Sequence, residues 1–410
     1  VNPGQEIILR IGYFTNTYPR ATDTFIQREV SGLREFGFEV NTFSVNKTGP
    51  EHDVGPEIIA EKKNTFFLLP VNPLKLLVQN LSYLAKSPGT YFGTLVLAWK
   101  TKQPGIKGTL KQFFYFLEAI TLAKALTEQK IDHVHNHLGD NSGNVMMMAS
   151  NLSGVGYSIA IHGPHIFFDP THWALDEKLK RSRFITCISN YCRSQMMLFS
   201  NQEDWGRLEI VHCGVDPDKF SQVAVKDKAN KILYTGRLSV EKGIPVLFES
   251  LQSLKQNGYD FELKLVGDGP DRSLLETMAK DMQLDDKVIF TGFAGQDEVR
   301  DYLQQSDMFI LPSFAEGVPV SLMEAMACGI PVISTYVGGI SELIEHQQTG
   351  LLVPASDPVG LADAIASYID DVELRKQVST NGRKKVVDEF NLDIEVKKLG
   401  EYFKHYVGSQ

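Results

Sequence analysis

Glu316 and Glu324 have the residue types and the spacing most suggestive of chemistry in this chain of 410 residues. They stand in the segment PSFAEGVPVSLMEAMACGIP (312–331), on either side of a tight turn that opens a helix. The apolar run MFIL (308–311) reads as a buried strand; Pro312 and Ser313 end it, and Gly317 and Pro319 break the chain. Residues 321–328 have helical character, so the helix opens at Pro319, Val320 and Ser321. Strand, loop and helix in that order offer an anion a helix N-terminus with its free N–H groups. Glu324 lies about a turn inside, where a carboxylate could accept paired hydrogen bonds from a ribose diol. Glu316, before the turn, could reach a second polar group of the same ligand. A ligand with a diol at one end, phosphates in the middle and a sugar at the other would fit. The bland alternative is a capping glutamate and a helix salt-bridge partner.

A second group of candidates lies in YTGRLSVEKGIPVL (234–247). Gly236 ends a strand and a helix opens after Gly243, so Arg237 and Lys242 project from one loop at the mouth of a sheet. An arginine fork and a mobile ammonium suit a diphosphate, each charge-assisted contact being worth about 1.5–3 kcal/mol. Downstream, LVGDGPDRSLLE (265–276) is a strand, a turn through Gly267 and Asp268, and a helix with Asp271 at its N-cap. It is not the GxGxxG of a dinucleotide fold, which counts against an oxidoreductase. In the first half, Thr24 with Gln27 makes a capping-box pattern after the first strand. His162 ends a strand just before Gly163. His133, His135 and His137 alternate along another strand, but no acidic or cysteine ligand joins them at metal spacing.

The elements that position these residues alternate between strand and helix, which implies parallel sheets in an α/β architecture. Strands are expected at 7–14, 38–45, 132–137, 156–163, 183–189 and 208–214, then at 230–238, 261–270, 286–293 and 308–313. A long helical region, 73–129, interrupts the first half. A polar stretch after GVDPDKF (214–220), before the cycle restarts at Asn230, divides the chain into domains at 1–214 and 215–390. Two doubly wound domains facing each other would put a ligand cleft at the carboxyl ends of their strands.

The spacing Glu316-x7-Glu324, with Gly338-Gly339 and TGLLVP (349–354) after it, resembles the paired-glutamate motif of family-4 retaining glycosyltransferases with the GT-B fold. EGVPVSLMEAMACGIPVIST resembles in particular the exopolysaccharide branch, of the colanic-acid and heterocyst-envelope type. That resemblance implies a retaining hexosyltransferase using a nucleotide diphosphate sugar, with UDP-glucose the first expectation. The acceptor would be a glycan or a lipid-linked oligosaccharide. It implies that Arg237 and Lys242 hold the leaving diphosphate, Glu316 the sugar hydroxyls and Glu324 the ribose. Gly267 and Asp268 would lie near the donor, and Gly292 and Phe293 would present backbone to the nucleobase edge. His162 matches the histidine that contacts the sugar near its reacting carbon. The family's usual Gly-Gly loop is missing; Thr22, Asp23, Thr24 and Phe25 stand in its place and resemble the exopolysaccharide branch, and Thr22, Asp23 and Thr24, with Asn136 and His137, are weak candidates for the acceptor side. No metal and no cofactor are expected, because Arg237, Lys242 and the helix N-terminus would supply the positive potential. The last helix, within 391–410, would cross back to the first domain, with Phe403 and Tyr406 available to dock. Rival readings are another GT-B enzyme, an epimerase or a phosphorylase, and a non-catalytic nucleotide-sugar-binding scaffold.

Composition fits these expectations. A hydrophobic fraction of 43% and a charged fraction of 22% belong to a globular chain, and the net charge of −9 argues against nucleic acid as the main partner. Cys187, Cys192, Cys213 and Cys328 lack metal spacing and suggest buried thiols in a reducing cytoplasm. No apolar run reaches the roughly 18 residues of a membrane span, and no signal peptide is recognised. Residues 75–111 nevertheless hold six lysines and no acid, interleaved through 116 with Tyr91, Phe92, Trp99, Phe113, Phe114, Tyr115 and Phe116. That mixture suits peripheral contact with the anionic inner face of the plasma membrane. Two core helices with a solvated lysine face are the alternative.

Overall fold

Short runs of Val, Ile, Leu and Phe bounded by Gly, Pro and Asp become strands buried on both faces, as parallel sheets covered by helices require. The computed structural model describes residues 8–20, 24–53 and 55–408. The chain separates into two domains, one of residues 1–211 and 396–410, the other of residues 212–395.

The first domain holds β1 (Arg10–Thr17), β2 (Glu39–Asn46), β3 (Phe66–Phe67), β4 (His133–His137), β5 (Gly156–Ile161), β6 (Phe184–Cys187) and β7 (Leu208–Ile210). They form one parallel sheet in the order β3-β2-β1-β4-β5-β6-β7. The second holds β8 (Lys231–Thr235), β9 (Glu262–Val266), β10 (Val288–Gly292), β11 (Met308–Leu311), β12 (Val332–Thr335) and β13 (Leu351–Val353). Its order is β10-β9-β8-β11-β12-β13, again parallel. Each sheet reverses direction of growth once, between β1 and β4 and between β8 and β11. The loops leaving those strands diverge there and open a crevice at each sheet's carboxyl edge. Three strands, β3, β12 and β13, go beyond the sequence expectation: each has four residues or fewer, too short to show a period.

The region 73–129 resolves into three helices, Pro73–Lys86, Pro88–Lys100 and Gly105–Glu128. Proline opens the first two, where its missing N–H costs nothing, and the Asn72 side chain accepts from Leu74 N. The three helices pack on one another, yet each keeps an apolar stripe in solvent. Leu74, Leu77 and Leu81 mark the first, Phe92, Val96 and Trp99 the second, and Ile106, Leu110 and Phe113 the third. Not every aromatic of the expected stripe faces outward. Phe116 is buried, Tyr91 donates to Asn80 Oδ1 and Tyr115 to Asn141 Oδ1, so the exposed apolar surface is largely aliphatic. No helix among the described residues is long and apolar enough to cross a membrane. Cys187, Cys192 and Cys328 are buried and Cys213 is half-buried.

The last helix, Leu392–Val407, begins in the second domain and ends in the first. Phe403 is fully buried against Phe38, His133, His135 and Phe184. Tyr406 stacks on Phe184 with ring centroids 4.9 Å apart and donates to Glu209 Oε1 at 2.7 Å.

Candidate active site

In the second domain the candidate residues stand on loops leaving β8, β9, β11 and β12, tied together mainly through backbone. Gly236 N donates to Val266 O at 3.0 Å, Gly267 N to Gly292 O at 2.8 Å and Leu238 N to Asp268 O at 3.0 Å. Phe314 N donates to Glu241 O at 2.8 Å and Gly339 N to Gly317 O at 2.8 Å. Two glycines are required by this bracing. A Cβ at Gly243 (φ +65°) would lie 2.1 Å from Pro312 O, and one at Gly338 (φ +55°) 1.8 Å from Glu316 O.

On this frame Lys242 Nζ donates to Glu316 Oε1 at 2.6 Å, and Ser313 Oγ donates to the same oxygen at 2.6 Å. Thr335 Oγ1 fixes Ser313 by donating to its carbonyl at 2.6 Å. Glu316 is buried and Lys242 half-buried, so the ion pair is held, not merely collided. Arg237 is exposed, and its guanidinium makes no hydrogen bond or ion pair among the described residues; its carbonyl accepts from Tyr234 Oη at 2.8 Å. Burial works to raise the Glu241 carboxyl. The Ser239 hydroxyl, its own amide and the charges of Lys242 and Arg237 together hold it below the usual carboxylate range. The loop thus carries a positive field with one cation uncommitted.

The helix after Glu316 runs Val320–Ala327, with Pro319 at the N-cap position and no side chain bonded to its first amides. Ser321 and Glu324 are half-buried on it. Burial first, and then the Glu324 charge, push the Cys328 thiol up to about 12, which marks it as an inert core thiol. Asp268 is turned into its own loop: its carboxylate accepts from Gly269 N at 2.7 Å and from Arg272 at 2.9 Å. Asp271 occupies the N-cap position of the helix Arg272–Asp281 without a side-chain cap bond. Phe293, beyond β10, is exposed.

In the first domain the structure assembles what the sequence scatters. Tyr13 Oη on β1 donates to Glu29 Oε1 at 2.6 Å, and His137 Nε2 on β4 meets the same oxygen at 2.9 Å. His137 Nδ1 shares a hydrogen bond of 2.8 Å with His162 Nε2, at the end of β5. Phe25 packs on His162 with centroids 4.8 Å apart. His133 Nε2 and His135 Nδ1 both meet Ser158 Oγ, at 2.8 and 2.7 Å. Burial, then the facing Arg183, lowers His133 to about 3; burial, then His137, lowers His135 and His162 well below their ordinary value. Glu29 would be raised by burial, but pairing with His137, and then the Tyr13 bond, keep its carboxyl low and ionised.

Asn136 is fully buried, its amide donating to Phe14 O and Ser142 Oγ; His137 is buried too. Thr22 and Asp23, and the side chain of Thr24, lie outside the described residues. The helix does begin at Thr24, but Gln27 donates to Arg20 O instead of closing a capping box. Glu29 and Tyr13 escaped the sequence reading. Glu29 supplies the acidic neighbour that the histidine run lacks in sequence: Glu29, His135 and His137 bring one ligand atom each within 4.8 Å, the donor set a divalent cation could use. Its signal was the spacing Phe25-x3-Glu29, one helix face turned toward the histidines.

Two parallel-sheet Rossmann-like domains with helices around them define a GT-B protein. The likeness to solved structures bears this out: the chain superposes on sucrose-phosphate synthase from Thermosynechococcus elongatus with a TM-score of 0.76 at 19% identity, covering 98% of this chain and 100% of that one. It matches HepE of Anabaena in complex with UDP-glucose with a TM-score of 0.74 at 16% identity, covering 97% of this chain and 100% of that one. Residues 215–385 match the family of glycosyl transferases group 1. Over 96% of its length and 98% of the relative's, it is 27% identical to the amylovoran biosynthesis glycosyltransferase AmsK of Erwinia amylovora.

Proposed function

We propose that this glycosyltransferase moves a hexose, with retention, from a nucleotide diphosphate sugar to a glycan or lipid-linked acceptor of exopolysaccharide synthesis. The observation that carries the reading is the braced loop set in which Lys242 is fixed to Glu316 while Arg237 stays uncommitted. As the anomeric bond breaks, charge gathers on the departing diphosphate, and Arg237 with Lys242 stabilises it without a metal. Glu316 orients the sugar hydroxyls, Glu324 takes the ribose diol, and the amides after Pro319 face the phosphates. Gly236, Gly267, Asp268 and Phe293 border the nucleotide. His162 contacts the sugar. The acceptor attacks from the face the diphosphate leaves, and the phosphate takes its proton. UDP-glucose is the proposed donor, supported by the fold-level likeness to a protein solved with it. AmsK, named for amylovoran synthesis, supports the exopolysaccharide setting.

A thermal-shift and hydrolysis screen across nucleotide sugars, without added metal, tests this. A selective shift with UDP-glucose and slow release of UDP are expected, because a ligand bound only by the native state raises its stability. No shift with any donor at millimolar concentration would sink the reading.

The protein works at the cytoplasmic face of the membrane. The apolar stripes on Pro73–Lys86, Pro88–Lys100 and Gly105–Glu128 are exposed beside Lys75, Lys86, Lys107 and Lys111, and anionic lipid complements that charge. Lys100 is the exception, paired with Glu177. The protein should float with phosphatidylserine vesicles at low salt and be released by salt. Absence of flotation at low salt would rule the contact out.

A further inference from the structure

His135 lies wholly inside the first domain, yet its Nε2 has no hydrogen-bond partner among the described residues. Buried ring nitrogens are ordinarily satisfied, so what this one faces matters. Glu29 Oε1 stands 3.9 Å from it, beyond hydrogen-bond reach, and His137 Nε2 approaches the same oxygen at 2.9 Å. Two imidazole nitrogens thus converge on one carboxylate oxygen, and the three atoms lie within 4.8 Å of one another. The far side of each ring is held as well. His135 Nδ1 meets Ser158 Oγ at 2.7 Å, and His137 Nδ1 meets His162 Nε2 at 2.8 Å. Tyr13 Oη donates to Glu29 Oε1 at 2.6 Å. Outer partners of this kind steady the histidines and carboxylates that ligate metals.

We infer that Glu29, His135 and His137 form a zinc site in the first domain, tying the helix Thr24–Glu35 to β4. Two imidazoles and one carboxylate are a nitrogen–oxygen set that zinc takes, with water as the fourth ligand. Magnesium and calcium are disfavoured, because they require a shell of oxygens. Tetrahedral bonds of about 2.0–2.2 Å set ligand atoms roughly 3.3 Å apart. That spacing falls between the 2.9 Å and 3.9 Å found here, so the His137 contact opens slightly and the His135 contact closes. A neutral ring ligating through Nε2 carries its proton on Nδ1, the side on which Ser158 and His162 lie. Glu29 is the half-buried member and gives the ion its way in. The unfolded chain does not hold these ligands together, so the ion stabilises the fold. The zinc is structural: charge on the departing diphosphate still falls to Arg237 and Lys242, and the site holds whether or not UDP-glucose is the donor.

The test uses the full chain without a histidine tag, stripped with a chelator and returned to zinc. Wild type should keep about one zinc per chain through gel filtration, and zinc should raise its melting temperature. Glu29→Gln and His135→Gln should each weaken zinc about a hundredfold or more. Ser158→Ala, which removes an outer partner and little volume, should weaken it about 10–100-fold. His172→Gln, at a histidine outside the cluster, should bind as wild type does. Side-chain ¹⁵N NMR of the wild-type chain needs no variant: zinc should shift the ring signals of His135 and His137. A wild type that keeps no zinc overturns the site. So does zinc kept equally by Glu29→Gln and His135→Gln, or zinc that leaves those ring signals in place.

Discussion

The two candidate regions are built on opposite plans. In the second domain, loops are braced by backbone hydrogen bonds and by glycines that admit a carbonyl where a Cβ would stand. In the first, side chains from β1, a helix, β4 and β5 converge, and the contacts run from ring to carboxylate to ring. A backbone-braced region depends on residues close in sequence and fails sharply at single glycines. A region of converging side chains depends on the packing of a whole sheet and is tuned by protonation.

The largest expected effect separates chemistry from scaffold. Arg237→Ala should lower turnover about 10²–10³-fold with the fold intact; a drop under tenfold would end its assigned role. Next in size, Gly338→Ala puts a Cβ against Glu316 O at left-handed φ. It should destabilise the second domain by about 1–3 kcal/mol and raise the donor KM about tenfold or more. An unchanged KM would show that the brace does not shape the site. The smallest effect belongs to the first domain. His133, His135 and His162 stay neutral in the fold, so their contribution is complete above their ordinary value near 6.5 and is lost as pH falls. For His133 the loss should continue down to about pH 3. Glu118, raised to about 7 by burial, runs the other way between roughly 4.5 and 7. Denaturant titrations at pH 7.5, 6 and 5 should show acid weakening of the first domain; a flat response would refute the neutral histidines.

The same difference explains what could be read in advance. The second-domain frame was legible because each functional loop is a local strand–turn–helix word, with Gly236, Gly243, Gly267 and Gly338 as its punctuation. The strand order was not legible in either half, since register and crossover are set by contacts distant in sequence. Tyr13 and Glu29 were invisible as site residues: nothing local distinguishes a strand tyrosine or a helix glutamate until His137 arrives over a hundred positions later. His133, His135 and His137 showed only an alternation along one strand, without a metal ligand at suitable spacing, and they lie in the core, bonded to Ser158, Glu29 and His162. In the region 73–116 the lysine and aromatic pattern was plain, but Leu74, Leu77, Val96 and Ile106 supply much of the exposed apolar surface.

The helix Leu392–Val407 has a consequence for synthesis. Phe403 fills a notch lined by Phe38, His133 and Phe184, all made before the second domain, while Phe403 itself is made after it. Translation of the whole intervening domain, roughly ten to forty seconds at ordinary rates, separates Val211 from Val396. The first domain is therefore completed only after the second has been made, and until then it waits with an open aromatic seat.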